Sequence, residues 1–591
     1  MSYRAPVKDL LFVMKELAGI EAVAALPGHE DAGIDTAAAV LQECARFNEE
    51  VVAPLNWEGD RHPSSFEAGT VTTTPGFRQA FRQFAEGGWQ GLQHPVDFGG
   101  QGLPKLIGAA CCEMVNSANL SFALCPLLTD GAIEALLTAG TAEQQAAYIP
   151  PMIAGRWTGT MNLTEPQAGS DLSLVRTRAE PQPDGSYRLY GTKIYITYGE
   201  HDMADNIVHL VLARVTGAPE GVKGISLFIC PKVLPDGTRN DVHCVSIEHK
   251  LGIKASPTAV LQYGDHGGAV AQLVGQENRG LETMFVMMNA ARFQVGVQGI
   301  ALAERAYQKA VQYARERVQS RPVDGSLPGA APILHHPDVR RMLMRMRAHT
   351  EGCRAMALVA ASAYDAAHAH PDAAVRRQNQ AFYEFLVPLV KGLSTEMSLE
   401  VASLGVQVHG GMGFIEETGA AQYLRDAKIL TIYEGTTAIQ ANDLVGRKTA
   451  RDGGQVALAI AQQIEATVGE LGARASAACR TMARRLDAAR RAYVDAVAYV
   501  AGRGKTEPNA VYAGSVPYLM LAGTTVAGWQ MARALMAAED RLAEGVDAAF
   551  MAAKIATARF YADHILNQVP ALRDSIVEGA DSVTALALES Y

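Results

Sequence analysis

LRDAKILTIYEGTTAIQ, Leu424 to Gln440, sets a carboxylate, Glu434, between an apolar strand-like run and the start of a helix. No basic residue stands beside it in the sequence. Two readings compete. Thr431 and Glu434 have the Ser/Thr-x-x-Glu spacing of a capping box, in which side chains satisfy free helix N–H groups. Alternatively, Glu434 is a base held in a water-poor pocket, where burial raises a carboxylate's pKa.

The surroundings narrow the choice. Upstream, residues 386–408 place Leu386, Val390, Leu393, Met397, Val401, Leu404 and Val408 at steps of three and four. That spacing predicts one buried helical stripe, with Pro388 kinking or restarting its first turn. The stripe ends in QVHGGMGF, 407–414. Gly410 and Gly411 there can end a helix, or let bare backbone approach a ligand. Residues 1–155 read as helix with loops, and GAIEALLTAGTAEQQAAYIPPMIAG as a helical pair broken at its prolines. From 156 to 283 the runs are short, β-branched and bounded by turn residues, with no long helix between them. These imply a β domain and not a βαβ sheet. Helices return over 284–450, and 451–591 is a further Ala-rich helical block. The fold class is therefore mostly α with a central β domain.

Two β-domain motifs offer chemistry. MNLTEPQAGSDL, 161–172, runs from a strand into a Gly/Ser/Asp turn whose N–H groups can meet an anion or a polar ring. The same turn is also an ordinary structural one, with Asp171 capping the next segment. In GTKIYIT, 191–197, Tyr195 and Thr197 share one strand face.

Composition excludes other classes. The chain has 591 residues, with 62 acidic against 52 basic and a net charge of −10. That surplus disfavours nucleic-acid binding. Eight cysteines form no C-x-x-C pair, so no zinc framework or other metal site is expected, and the thiols suit the cytoplasm. No G-x-G-x-x-G, G-x-S-x-G or H-E-x-x-H occurs. GRGKT at 502–506 lacks the first glycine of a phosphate loop, because position 499 is Tyr499. The uncharged stretch 508–532 is long enough to span a bilayer, but its Asn, Pro, Thr and Gln residues point to a buried helix, not stable membrane insertion.

In this order, TEPQAGSD, QVHGGMGF and LRDAKILTIYEGTTAIQ resemble the acyl-CoA dehydrogenase family of flavoproteins, over residues 40–448. The chain looks like the larger bacterial members, nearest in appearance to the 3-(methylthio)propanoyl-CoA dehydrogenases. The resemblance implies FAD, an acyl-CoA substrate, electron-transfer flavoprotein as acceptor, and a homodimer or dimer of dimers. It implies that Met161, Leu163, Thr164, Gly169 and Ser170 line the flavin, with Ser170 also near substrate, and that Tyr195, Ile196 and Thr197 cover the ring. Arg317, Gln407, Gly410 and Gly411 would meet the ADP half of a neighbouring subunit's FAD, and Thr436 a phosphate. Arg292 and Gly435 would lie beside the substrate, and Glu434 would be the base. The family's usual tryptophan is Tyr195 here, a usual aromatic is Ser320, a usual glutamine is Ala438 and a usual aspartate is Asn289. Some relatives carry the base one position before the arginine matching Arg292, but that position is Ala291. Arg425, Asp426 and Lys428 can pair among themselves, and a structural role is the better reading of them. An acyl-CoA oxidase using O₂ and a DNA-binding flavoprotein of the same fold are the alternatives.

Overall fold

The computed structural model describes residues 3–591. Helices fill the N-terminal part, including Ile34–Phe47, Phe77–Glu86, Lys105–Ala118, Leu120–Ala139 and Ala142–Ile153. The last of these runs through Pro150 and Pro151, so the break falls at Gly140 and not at the prolines. Thr141 caps that helix in a reciprocal capping box with Gln144. A hairpin absent from the sequence expectations joins β1 (Ser65–Glu67) to β2 (Thr70–Thr72). Its signal is short: Ala68 and Gly69 both take positive φ, as a tight two-residue hairpin turn requires.

The central domain comprises β3 (Trp157–Asn162), β4 (Arg178–Pro181), β5 (Tyr187–Thr197), β6 (Asn206–Val215), β7 (Ser226–Pro231), β8 (Val242–Ile247), β9 (Thr258–Tyr263) and β10 (Ala269–Val274). β10 pairs with both β7 and β5, closing a ring through β6 and β4. Closure pairs the edges of β10 and β5, leaving β3 and β8 as edge strands. β3 adds to β6 in parallel without an intervening α-helix. At the N-terminal side of the sheet, Gly159 lies against Ala132 and Thr129 of the Leu120–Ala139 helix, where any Cβ would collide.

The long helices Gly280–Glu316, Pro337–Ala369 and Ala373–His409 form the bundle. The sequence stripe is buried except for half-buried Leu404. Its helix starts at Ala373, so Pro388 sits well inside it and not in its first turn. Gly296 and Gly299 let the first helix cross the third closely: a Cβ would lie 2.6 Å from the Val390 carbonyl oxygen or 2.5 Å from that of Ser394. That crossing brings Arg292 near Lys391 of the third helix.

The C-terminal helices pack on this bundle. The uncharged 508–532 stretch is two helices, Pro508–Ala513 and the start of Ser515–Ala543, broken at Gly514. Leu519 lies against Gly392, and Leu393 against Gly523. Another helix, Leu120–Ala139, is long and apolar enough to cross a membrane by length and composition, but it is mostly buried inside the protein. A charged cluster fastens the N-terminal arm and the C-terminal block to the bundle. Arg354 binds Asp9, Glu113 and Glu304, and Lys554 binds Asp9 and Glu351.

Candidate active site

Glu434 lies between two helices, not after a strand: Ala420–Leu430 precedes it and Thr437–Asp443 comes after it. The apolar run KILTI ends a helix because Ala427 and Leu430 face the core at helical spacing. The capping box read from Thr431 and Glu434 does not form. Thr436 is the N-cap instead, accepting from the Ile439 N–H at 3.3 Å. Thr431 donates to the Lys428 carbonyl at 3.2 Å and accepts the Thr437 N–H at 3.1 Å through its own carbonyl.

The turn is strained. Glu434 has φ +54, a left-handed conformation that few non-glycine residues adopt. Gly435 comes next at φ +88, where a Cβ would meet Gln440 Nε2 at 2.8 Å. The Glu434 N–H has no acceptor among the described residues. Its carboxyl is half-buried, and burial raises its pKa.

Two cations moderate that rise, Arg292 first and then Lys391. The sequence shows no basic residue beside Glu434, because both come from other helices. Lys391 is fully buried and donates to the carbonyls of Leu430 at 2.8 Å and Gly435 at 2.7 Å. Burial pulls its pKa down to about 8. Arg292 reaches Asp443 at 3.9 Å, and its buried Nε is unpaired among the described residues. Arg425, Asp426 and Lys428, which could have paired with one another, take other partners. Arg425 pairs with Asp60, while Asp426 accepts the Ile253 N–H at 2.5 Å. Lys428 faces Thr431 at 3.4 Å.

The β-domain residues form a second group. Ile194 N–H donates to the Thr164 carbonyl at 3.0 Å, bringing the 161–164 and 194–197 segments together. A bulge between Lys193 and Ile196 breaks the β5–β9 register. It turns Tyr195 to φ +60 and leaves the residue 60% exposed, so Tyr195 and Thr197 do not simply alternate along one face. Beneath the bulge, buried Lys193 donates to the Leu163 carbonyl at 2.9 Å and to Glu165 at 2.8 Å. Met161 and Ile196 are buried, Leu163, Thr164 and Thr197 half-buried, and Gly169 and Ser170 exposed.

Arg317, Gln407, Gly410 and Gly411 form a third, exposed group at the ends of two bundle helices. Tyr313 stacked on His409 at 4.3 Å ties those ends together. Gly410 has φ +59, and nothing lies within 4 Å of where a Cβ would stand on it or on Gly411.

Two neighbouring cavities lie among the Lys105–Ala118, Leu120–Ala139 and Gly280–Glu316 helices. The larger, about 450 Å³, is lined by Asn289, Ala290 and Asp443, next to the Arg292 pair. The smaller, about 60 Å³, shares Gln93, His94, Asp130 and Gln294 with it and is walled by Trp89, Cys112, Asn116 and Leu127. His94 is buried between Asp130 at 2.9 Å and Glu134 at 3.6 Å. Burial opposes its charge, but the two carboxylates prevail and raise its pKa to about 9. Elsewhere, Asp241, His243 and His266 bring possible metal-ligand atoms within 4.8 Å of one another on the β domain, a grouping with no signal in the spacing.

The donor set fits FAD: an exposed aromatic beside half-buried strand ends, and open glycine backbone at a helix end. This fold and site define a class. The chain matches the acyl-CoA dehydrogenase N-terminal domain over residues 35–156, the middle domain over 160–266 and the C-terminal domain over 278–448. Residues 460–587 match the domain described as acetyl-CoA dehydrogenase C-terminal like. The chain belongs to the acyl-CoA dehydrogenase family, oxidoreductases that use FAD to dehydrogenate acyl-CoA thioesters.

Particular relatives are informative. The chain is 54% identical to 3-methylmercaptopropionyl-CoA dehydrogenase of Ruegeria pomeroyi, covering 100% of both chains. It is 36% identical to a broad-specificity linear acyl-CoA dehydrogenase of Mycobacterium tuberculosis, over 98% of each. An acyl-CoA dehydrogenase from Bacillus anthracis, solved with FAD, shares the fold at TM-score 0.76 and 22% identity, covering 93% of this chain and 90% of that one.

Proposed function

We propose that this protein removes the α-proton and β-hydride of a short acyl-CoA, 3-(methylthio)propanoyl-CoA, with Glu434 as the base. The observation that carries this reading is the strained turn itself. One residue offers a carboxylate of raised basicity through its side chain and a free N–H through its backbone. The side chain takes the α-proton. The N–H donates to the thioester oxygen as negative charge develops there. Arg292 and Lys391 keep enough of the carboxyl ionised to act. Bound FAD supplies the acceptor for the hydride.

Met161, Leu163, Thr164, Gly169, Ser170, Tyr195, Ile196, Thr197 and Thr436 hold the cofactor. Ser170, Arg292 and Gly435 border the substrate. Arg292 and Arg317 lie 25 residues apart on one helical run, about 38 Å along its axis. The family resemblance supports assigning the Arg317 group to the FAD of a second copy, with a working unit of at least a homodimer.

The substrate assignment rests on the Ruegeria relative's full-length likeness. It also suits the small cavity, where Trp89 and the thiols of Cys44, Cys111 and Cys112 offer soft contacts to a thioether. The acceptor is electron-transfer flavoprotein, and the eight free cysteines suit a reducing cytoplasm. The test is Glu434→Gln: a folded, flavin-loaded protein with dehydrogenation lowered at least a thousandfold is expected. Near wild-type turnover would refute the base, and peroxide formed from acyl-CoA without an added acceptor would refute the electron route.

A further inference from the structure

A chain of three hydrogen bonds, the central one buried, runs from the small cavity to the residue before the base. The Tyr433 hydroxyl donates to Gln298 Oε1. Gln298 Nε2 donates to Asn116 Oδ1 at 3.1 Å. Asn116 Nδ2 donates to the Cys112 carbonyl at 2.8 Å. Gln298 is fully buried and Asn116 is 2% exposed. The three donors belong to different parts of the fold: the catalytic turn, the Gly280–Glu316 helix and the Lys105–Ala118 helix. Asn116 and Cys112 line the small cavity, as does Gln294, one turn before Gln298.

Hydrophobic packing does not need such a chain. Each amide buried there loses water and must be repaid by a fixed partner. The chain runs head to tail, with each group donating to the next. Its end, Tyr433, is bonded through the peptide to Glu434, which holds an unfavourable left-handed φ. A turn in that conformation persists only where its surroundings over-determine it.

We propose that Gln298 is a positioning residue, and that the Asn116–Gln298–Tyr433 chain makes the setting of Glu434 depend on whether a substrate tail fills the small cavity. The inference rests on Glu434 being the base. A cavity of about 60 Å³ holds about four water-sized groups, enough for a short tail and too little for a long one. A tail lying against Asn116 and Cys112 holds the chain taut. An empty cavity admits water, which competes for the Asn116 amide and loosens the turn.

The test compares turnover of propanoyl-CoA and 3-(methylthio)propanoyl-CoA by the flavin-loaded enzyme and its variants. Gln298→Leu and Asn116→Ala should each lower kcat about tenfold on the longer substrate, with KM changed by less than about threefold. The ratio of kcat between the two substrates should fall towards one. Tyr433→Phe added to Gln298→Leu should cost nothing further, since the bond is already gone. Effects that multiply in that double variant, a rise in KM alone, or an unchanged substrate ratio would each overturn the proposal. If Gln298→Leu does not fold with flavin, Tyr433→Phe and Asn116→Ala give the same readings. Failure of Glu434→Gln to abolish turnover would sink the base assignment instead, whatever the ratios show.

Discussion

Replacing Lys391 by methionine tests the electrostatics of the turn directly. The ammonium is fully buried and clamps the carbonyls of Leu430 and Gly435, on either side of Glu434. Each charge-assisted bond contributes about 1.5–3 kcal/mol, so their loss costs about 3–6 kcal/mol. An opposing term is nearly as large. Burial holds the lysine pKa near 8 rather than 10.5, and at about 1.4 kcal/mol per pH unit, relief from that charge returns about 3 kcal/mol. The net loss of stability at pH 7 is therefore about 0–3 kcal/mol, and the variant should fold. Because the folded pKa is depressed, the unfolded wild-type chain binds more protons between pH 8 and 10.5. Wild-type stability rises with pH there, and the methionine variant lacks that rise.

The effect on activity is sharper. Lys391 lowers the pKa of Glu434 against the burial that raises it. At an effective dielectric of about 20, a nearby opposite unit charge contributes on the order of 1–2 kcal/mol. The acid limb of kcat/KM should then move about one to one and a half pH units upward, a loss of tenfold or more below it. The assay is the pH profile of kcat/KM with flavin content measured at each point, alongside urea unfolding. An acid limb that stays put, or moves down, would refute the electrostatic role of Lys391.

Further outcomes concern the frame. Lys554→Met leaves Asp9 and Glu351 short of a buried cation, and should destabilise the protein by about 3–5 kcal/mol in denaturant titration. An unfolding midpoint within error of wild type would show that the C-terminal block is not pinned there. Burial would raise the Glu165 pKa, but Lys193, Thr177 and the Arg176 N–H outweigh it and hold it near 2. Its contribution is present above the ordinary value of 4.5 and is lost as pH falls towards 2. Glu165→Gln should therefore cost stability at pH 7, with the gap to wild type shrinking as pH falls from 4.5 to 2. A gap that widens would be contrary.

Much was legible in the residues. Helical spacing placed the 386–408 stripe on the core, and short β-branched runs marked a domain that closes into a barrel. The TIYEGTT motif singled out Glu434, the proposed base, because a strained turn needs particular residues in order, Gly435 above all. Other readings failed where tertiary contact outvoted local pattern. The capping box lost to Thr436, one residue past the Gly435 turn and free to cap. Arg425 turned away from its neighbours to Asp60, 365 positions distant in the chain.

Sequence alone determined which side chains exist and which local conformations they favour. Apolar periodicity, turn glycines and the ordered motif were enough to fix the order of the domains and to single out Glu434. Only the tertiary structure decided what surrounds that carboxylate. Lys391, Arg292, Gln298 and Asn116 come from helices far apart in the chain, brought close by glycine-mediated packing. Their charges and amides act through space, and no spacing along a single chain encodes a distance across a helix crossing.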